Sequence, residues 1–203
     1  MVIFNNYRWI EVSYLISIAI ICVSVGCVSV FVGKNFRKEP IKDIVVGKTT
    51  KAEVVNSFGV PYSENRVTFN NTEFEIFNYL YSFPDYSANK QMKKELRCEF
   101  KNGLLNSYNF ASTFEDDRIR IDKNKLNTLE KGKTTKDIIR NVFSVPHGIA
   151  LIPTSLLYRP PSDIKDVKEL WVYYSSKNDT VMIFFDSHGL FLEFNITSEG
   201  KTL

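Results

Sequence analysis

The residues with the most evident chemical capacity form a pentapeptide that occurs twice. The segments at 47–51 and 132–136 both read Gly-Lys-Thr-Thr-Lys and lie 85 residues apart. Gly-Lys-Thr is the ending of a phosphate-binding loop, in which backbone N–H groups and the lysine hold nucleotide phosphates. That loop needs another glycine five positions before the Gly-Lys pair, where this chain has Lys42 and Asn127. Both copies are therefore interpreted as helix starts, and no nucleotide or other cofactor is predicted.

The other candidates for catalysis or metal binding are two histidines, one cysteine and a short acidic run. His147 and His188 are the only histidines, and they lie far apart in the sequence. Structural zinc normally shows paired Cys or His ligands, which are missing around both residues. Cys98 falls in a strand pattern that predicts a buried side chain, and the acidic run 115–117 is interpreted as a solvated linker. We therefore predict no catalytic, cofactor-binding or metal-binding residues, and expect a protein that is not an enzyme.

Each pentapeptide must start a helix. In the first copy, Thr50 and Glu53 have the spacing of a capping box, and a helix is predicted over 51–58. In the second, a helix is predicted over 136–143, with Ile138, Ile139, Val142 and Phe143 expected on one apolar face. A further short helix is expected around 125–130.

Strands follow each helix, because residues of alternating polarity are bounded by turn signals. They are predicted at 73–82, 94–100 and 104–111, and again at 168–175, 180–186 and 190–197. Period two places Leu96, Cys98 and Phe100 on one core face, and Val181, Ile183 and Phe185 on the matching one. The predicted fold class is α+β: an N-terminal apolar anchor followed by two tandem repeats, each of two helices and a three-stranded antiparallel sheet.

The repeat spacing sets the expected domain organisation. Residues 1–33 are assigned to a signal or membrane anchor, 34–111 to the first repeat, 112–125 to a linker and 126–203 to the second repeat. The net charge of +3, without a basic run, is too weak to predict binding to nucleic acid.

The N-terminal segment predicts attachment to a membrane. Residues 12–33 contain no charged side chain over 22 positions, a length that fits a membrane span. The segment also resembles a secretory signal, and Cys27, after Val25 and Gly26, resembles the lipid-bearing cysteine of a lipoprotein. An uncleaved anchor, a lipidated Cys27 and a cleaved signal all stay open. Positive charges at residues 34, 37 and 38 favour a cytoplasmic side, whereas a signal or lipidated cysteine favours the periplasmic side of a cell envelope.

The motifs together resemble the SmpA/OmlA family of envelope lipoproteins, which has the BamE-like fold. The matching residues of the first copy are Gly47, Thr49, Thr50, Gly59, Pro61, Tyr79, Phe100 and Gly103. Those of the second copy are Gly132, Thr134, Thr135, Pro146, Trp171, Tyr173, Phe185 and Gly189. A tandem of this fold also resembles the β-lactamase inhibitory protein, which binds its target through a concave sheet surface.

These resemblances imply a binding module without catalytic activity. The family implies a membrane-attached bacterial envelope protein with a protein partner, in outer-membrane assembly or envelope integrity. The tandem architecture implies the alternative, an inhibitor or immunity-type protein that binds a target enzyme through its sheet face.

Overall fold

Nine antiparallel strands form one sheet that runs through both repeats. The computed structural model describes residues 31–175 and 179–198. The strands are β1 (Val32–Gly33), β2 (Ser63–Phe69), β3 (Thr72–Asp85), β4 (Lys90–Lys101), β5 (Leu104–Ser112), β6 (Gly148–Leu151), β7 (Glu169–Tyr174), β8 (Asp179–Phe185) and β9 (Phe191–Ser198). Strands β3 to β9 are neighbours in chain order, and β1 and β2 both pair with β3. The two repeats meet where β5 pairs with β6.

Helices are few and short in the described part of the chain. They are α1 (Lys51–Phe58), α2 (Lys123–Leu126) and α3 (Lys136–Phe143), with 3-10 turns at Glu39–Lys42 and Glu115–Asp117. The predicted helices at 51–58 and 136–143 are confirmed. The predicted helix-helix-three-stranded repeat is wrong, because each repeat supplies four strands to one sheet and has only one helix longer than a single turn.

Most of the predicted N-terminal anchor, including Cys27, lies outside the described residues. Its last two residues, Val32 and Gly33, form β1 and pair with Ser82 and Tyr81 of β3. The prediction that the apolar anchor extends to residue 33 is therefore wrong for its last two residues. Within the described ranges, no helix has both the length and the apolar character needed to cross a membrane.

Threonine side chains cap the N-termini of both eight-residue helices, α1 and α3. The Thr50 hydroxyl accepts a hydrogen bond from Glu53 N–H at 3.3 Å, and the Glu53 carboxylate accepts one from Thr50 N–H at 2.7 Å, so the predicted capping box is confirmed. Thr135 accepts from Ile138 N–H at 3.4 Å in the same way. Satisfying N–H groups that have no partner inside a helix typically stabilises its start by about 1 kcal/mol.

The main hydrophobic core lies between the helices and one face of the sheet. Leu96, Cys98 and Phe100 of β4 are buried there, as predicted, and so are Val181, Ile183 and Phe185 of β8. Both repeats stack an aromatic pair across adjacent strands with ring centroids 4.9 Å apart: Phe77 with Phe100, and Trp171 with Phe185. This core holds the sheet rigid and leaves its other face for different contacts.

Candidate functional site

Both pentapeptides form hydrogen bonds with other parts of the protein. Gly47 N–H donates to the Leu105 carbonyl at 2.7 Å, and Gly132 N–H donates to the Phe191 carbonyl at 2.8 Å. The Thr49 hydroxyl accepts from the backbone N–H of Val45 at 2.8 Å. Each pentapeptide therefore docks its helix onto the last strand of its own repeat, with its N–H groups turned to the protein.

The lysine that ends each pentapeptide is paired with a glutamate of the sheet. Lys51 Nζ lies 2.5 Å from a Glu75 carboxylate oxygen, and Lys136 Nζ lies 2.5 Å from one of Glu169. Glu169 also accepts a hydrogen bond from Trp171 Nε1 at 2.6 Å. Both lysines are committed to ion pairs within the chain, which agrees with a structural role for the motif.

The sequence candidates for catalysis are not brought into one site. Cys98 is completely buried in the main core, and burial raises the pKa of its thiol. His188 lies in the exposed turn after β8, where its N–H donates to the Asp186 carboxylate at 2.8 Å. Among the described residues, no three His, Cys, Asp or Glu side chains are grouped closely enough to hold a metal ion.

His147 is buried at the junction of the two repeats. Its Nδ1 accepts from Tyr174 N–H at 3.1 Å, so Nε2 carries the proton and donates to the Asp117 carbonyl, 2.8 Å away. Burial lowers the pKa of His147, against the raising effect of the Asp117 carbonyl. Asp117 is itself buried and accepts from the Ser112 hydroxyl at 2.6 Å, so the acidic run is not entirely solvated as predicted.

We expect His147 to make stability depend on pH. Its native pKa is below the ordinary value of about 6.5, so below that pH the unfolded chain gains a proton that the native state does not bind. Stability is therefore present above about pH 6.5 and falls as the pH drops toward the native pKa. In the parent, urea unfolding should give a lower free energy of unfolding at pH 5.5 than at pH 7.5. In His147→Asn, Oδ1 can replace Nδ1 as the acceptor, and the contribution of His147 to the fall in stability between pH 7.5 and 5.5 should disappear. In His188→Asn that contribution should remain. Equal pH dependence in all three proteins would contradict the assignment.

The face of the sheet opposite the helices is partly covered by a long connection. Residues 152–168, here called the strap, join β6 to β7 and pack Ile152 and Val167 against Leu170 and Phe184. The strap also crosses to the first repeat, where Leu156 N–H donates to the Glu99 carboxylate at 2.8 Å. It covers one cross-strand row of completely buried side chains: Glu99, Ser107, Ala150, Leu170 and Phe184.

Beyond the strap, the same face is mostly partly exposed, although Gly148 and Val172 are buried and Val172 packs in the cluster under the strap. One row crosses eight strands through Ser63, Asn78, Arg97, Asn109, Gly148, Val172, Met182 and Asn195. The next row contains Leu80, Glu95 and Ala111 in the first repeat, and Tyr174, Thr180 and Thr197 in the second. Most of these side chains are partly exposed. We call these two rows the open face.

A cavity lies at the edge of the open face, where β5 and β7 end and β8 begins. It has a volume of about 410 Å³, and its lining includes Glu95 and Ala111 from the first repeat and Tyr174 and Thr180 from the second. It lies beyond the start of β6, where the His147 carbonyl accepts from Phe110 N–H and the His147 N–H donates to the Val172 carbonyl, and where Ile119 bridges Ser175 just after β7. A protruding side chain of a partner would fit there.

The strap fixes one wall of this surface through Asn109. The hydroxyls of Tyr158 and Tyr174 both donate to Asn109 Oδ1, at 2.6 Å and 2.9 Å. Gly148 leaves the necessary space, because a Cβ atom there would come within 2.9 Å of the Tyr158 hydroxyl oxygen. These contacts hold the centre of the open face in one arrangement before any partner arrives.

Sequence reasoning named a sheet face as the binding surface of the alternative function but did not identify the residues of the open face. Its only local signal was the polar alternation of β4, where Glu95, Arg97 and Glu99 alternate with the core residues Leu96 and Cys98. That alternation predicts that β4 has a polar face opposite the core, but it does not show which part of that face is covered by other residues. The coverage depends on the strap, which reaches strands far from it in sequence.

Comparisons with known proteins give one structural similarity and no sequence match. No protein-family profile matches it, and no curated protein matches it in sequence, so the SmpA/OmlA resemblance stays a prediction. A crystal structure from Streptococcus mutans, described as that of a candidate β-lactamase inhibitor protein, is similar with a TM-score of 0.49 and 13% sequence identity. The alignment covers 80% of this chain and 98% of that chain.

Proposed function

We propose that this protein is a non-catalytic binding module that blocks a target protein with its open face, in the manner of an inhibitor. The observation that carries this proposal is a pair of cross-strand rows of mostly partly exposed side chains on one face of the sheet, with a cavity of about 410 Å³ at their edge. The residues with catalytic potential are instead buried, paired internally or isolated, which supports binding over chemistry.

The composition of the open face suits protein recognition. Tyr, Met and Arg are enriched in protein interfaces, and the open face carries Tyr174, Met182 and Arg97 in partly exposed positions. Leu80 and Ala111 add apolar surface between polar neighbours. Central strands lose little conformational freedom on binding, so less of the binding energy is spent on ordering the surface.

The test begins with a photo-crosslinking amino acid at Ala111, in the cavity. The matched control places the same group at Ile138, which is 50% exposed on α3, on the helix side of the sheet. We expect the crosslinking group at position 111, but not the same group at position 138, to form a covalent adduct with a partner protein. The captured protein is then purified, and its affinity is measured with the parent and with Ala111→Arg.

Ala111→Arg should weaken binding by about 100-fold or more, because a charged side chain would fill the cavity that the partner needs. If the partner is an enzyme, its activity should fall with occupancy. A protein captured equally from both positions, or unchanged affinity of Ala111→Arg, would show that the open face is not the binding surface.

We also propose that the residues before β1 attach the protein to a membrane of the cell envelope. The support is the sequence of the segment predicted at 12–33, whose apolar surface is costly to leave in water. If Cys27 carries the lipid, Cys27→Ser should block processing and change the intact mass of the detergent-extracted protein. If the segment spans the membrane, the mass should change only by the substitution. Recovery of the full chain in the soluble fraction without detergent would contradict both routes.

A further inference from the structure

We propose that Arg97 is the point where the open face receives a carboxylate of the target protein, an inference that rests on the proposed function. Arg97 lies in the centre of β4, with Asn78 opposite it on β3 and Asn109 opposite it on β5. It is half-buried in the floor of the open face, next to the row from which Glu95, Ala111, Tyr174 and Thr180 line the cavity.

The Arg97 guanidinium is unpaired in the described part of the chain. Its Nε is buried and has no hydrogen-bond partner, and the side chain forms no ion pair there. The two carboxylates on the same face of β4 are already engaged. Glu95 is paired with Lys93 at 2.6 Å, and Glu99 accepts from Asn106 Nδ2 at 2.6 Å and from Leu156 N–H.

The neighbouring asparagines are engaged as well. Asn78 Nδ2 donates to the Ser63 hydroxyl at 3.1 Å, and Asn109 Oδ1 accepts two tyrosine hydroxyls. Within this row Arg97 is the one charged side chain, and the described part of the chain gives it no ion pair. Buried polar atoms are nearly always hydrogen-bonded in folded proteins, so the unpaired Nε makes Arg97 an exception. Its Nη1 and Nη2 have no hydrogen bond within the described part of the chain and are not among the buried unpaired atoms, so they are the donors that a partner can reach.

A carboxylate fits this site best. Guanidinium presents a planar fork of donors that matches a carboxylate with two parallel hydrogen bonds, and the half-buried setting strengthens them. The nearest cavity-lining residues of the same strand face are two positions away, about 7 Å along β4. We therefore expect a target loop that presents an Asp or Glu to Arg97 and an adjacent uncharged side chain to the cavity beside Ala111 and Tyr174.

An unpaired charge kept for binding should not be needed for folding. Arg97→Met removes the buried polar atom while keeping most of the side-chain volume. We expect its thermal midpoint to equal that of the parent or to rise by about 2–4 °C. A clear fall in the midpoint would show that Arg97 is satisfied within the fold, which would overturn the proposal.

The binding test uses a library of randomised eight-residue loops displayed on a neutral scaffold and selected against the whole protein. Binders are assigned to the open face if they fail to bind Ala111→Arg. We expect those binders to be enriched in Asp or Glu at one loop position. Their affinity should fall at least tenfold on Arg97→Met and recover in part on Arg97→Lys, which keeps the charge but loses the fork. Lys101→Met, on the same strand, is the matched control and should leave affinity within about twofold.

The outcomes separate the two proposals. Binders that map to the open face but carry no acidic residue, or that bind Arg97→Met as tightly as the parent, would refute the role of Arg97 and leave the open face as a docking surface. A selection that yields no binder sensitive to Ala111→Arg would contradict the proposed function itself, and the role of Arg97 with it.

Discussion

Replacing Phe143 with alanine is expected to lower the free energy of unfolding by about 3–5 kcal/mol. Phe143 is the last residue of α3 and is only 6% exposed. Its ring packs against Tyr173 of β7, with centroids 6.1 Å apart. The first repeat contains the same contact, Phe58 against Tyr79 at 5.7 Å. Truncation would leave a cavity beneath the helix, since the sheet on the other side cannot collapse into it.

Val142 provides the matched control, because it precedes Phe143 in α3 but is 37% exposed. Val142→Ala should cost less than about 1 kcal/mol. Urea unfolding of the parent and of the two variants under the same conditions measures both values. Similar losses for the two variants would place the Phe143 ring outside the core and would contradict the packing of α3 on the sheet.

The same pair shows how far periodicity predicts a helix face. Apolar residues at 138, 139, 142 and 143 were all predicted to face the core, but Ile138 is 50% exposed and Val142 also points away, whereas Ile139 and Phe143 are buried. In a helix of eight residues, two adjacent apolar positions are separated by about 100°. The contact with the sheet is narrower than the apolar stripe, and only the structure shows which half of the stripe is covered.

The parts that the sequence predicted well depend on local chemistry. The caps, the helix starts at Lys51 and Lys136, and the core face of β4 all follow from residues close together in the chain. Duplication strengthened these predictions, because each local signal appeared twice in the same order. The repeated lysine–glutamate pair could not be predicted, since its two members are distant in sequence.

Three strands were missed: β1, which fell within the predicted anchor, and two others that were missed for opposite reasons. Strand β2 (Ser63–Phe69) is exposed along almost its whole length, so it has no apolar alternation to mark it. Strand β6 (Gly148–Leu151) is only four residues long and buried on both faces, so it has no polar alternation either. Both are defined by pairing with the next strand along the chain, β3 and β7. The predicted helix near 125–130 was too long, and the structure has only the single turn at Lys123–Leu126.

Replacing Glu99 with alanine should release the strap from the first repeat while leaving the sheet folded. Glu99 is completely buried, and its carboxylate accepts hydrogen bonds from Asn106 Nδ2 at 2.6 Å and from Leu156 N–H at 2.8 Å. Alanine would leave both donors without this acceptor, the Asn106 amide in a buried position and the Leu156 N–H in a partly buried one. We expect a loss of about 2–4 kcal/mol, the range for unsatisfied buried groups next to a removed charge. The Leu156 amide should exchange with solvent about 100-fold faster, because it loses the acceptor that protects it.

Glu95→Ala is the matched control, since Glu95 lies on the same face of β4 but is partly exposed and pairs only with Lys93. Its cost should stay within about 0.5 kcal/mol. Hydrogen exchange measured residue by residue distinguishes local release from global loss of stability. In Glu99→Ala the strap amides should be affected far more than those of β8. Uniform acceleration across strap and sheet would mean that Glu99 supports the whole core. An unchanged Leu156 amide would mean that the strap is held by its apolar contacts with Leu170 and Phe184 alone, so the boundary of the open face would not depend on this carboxylate.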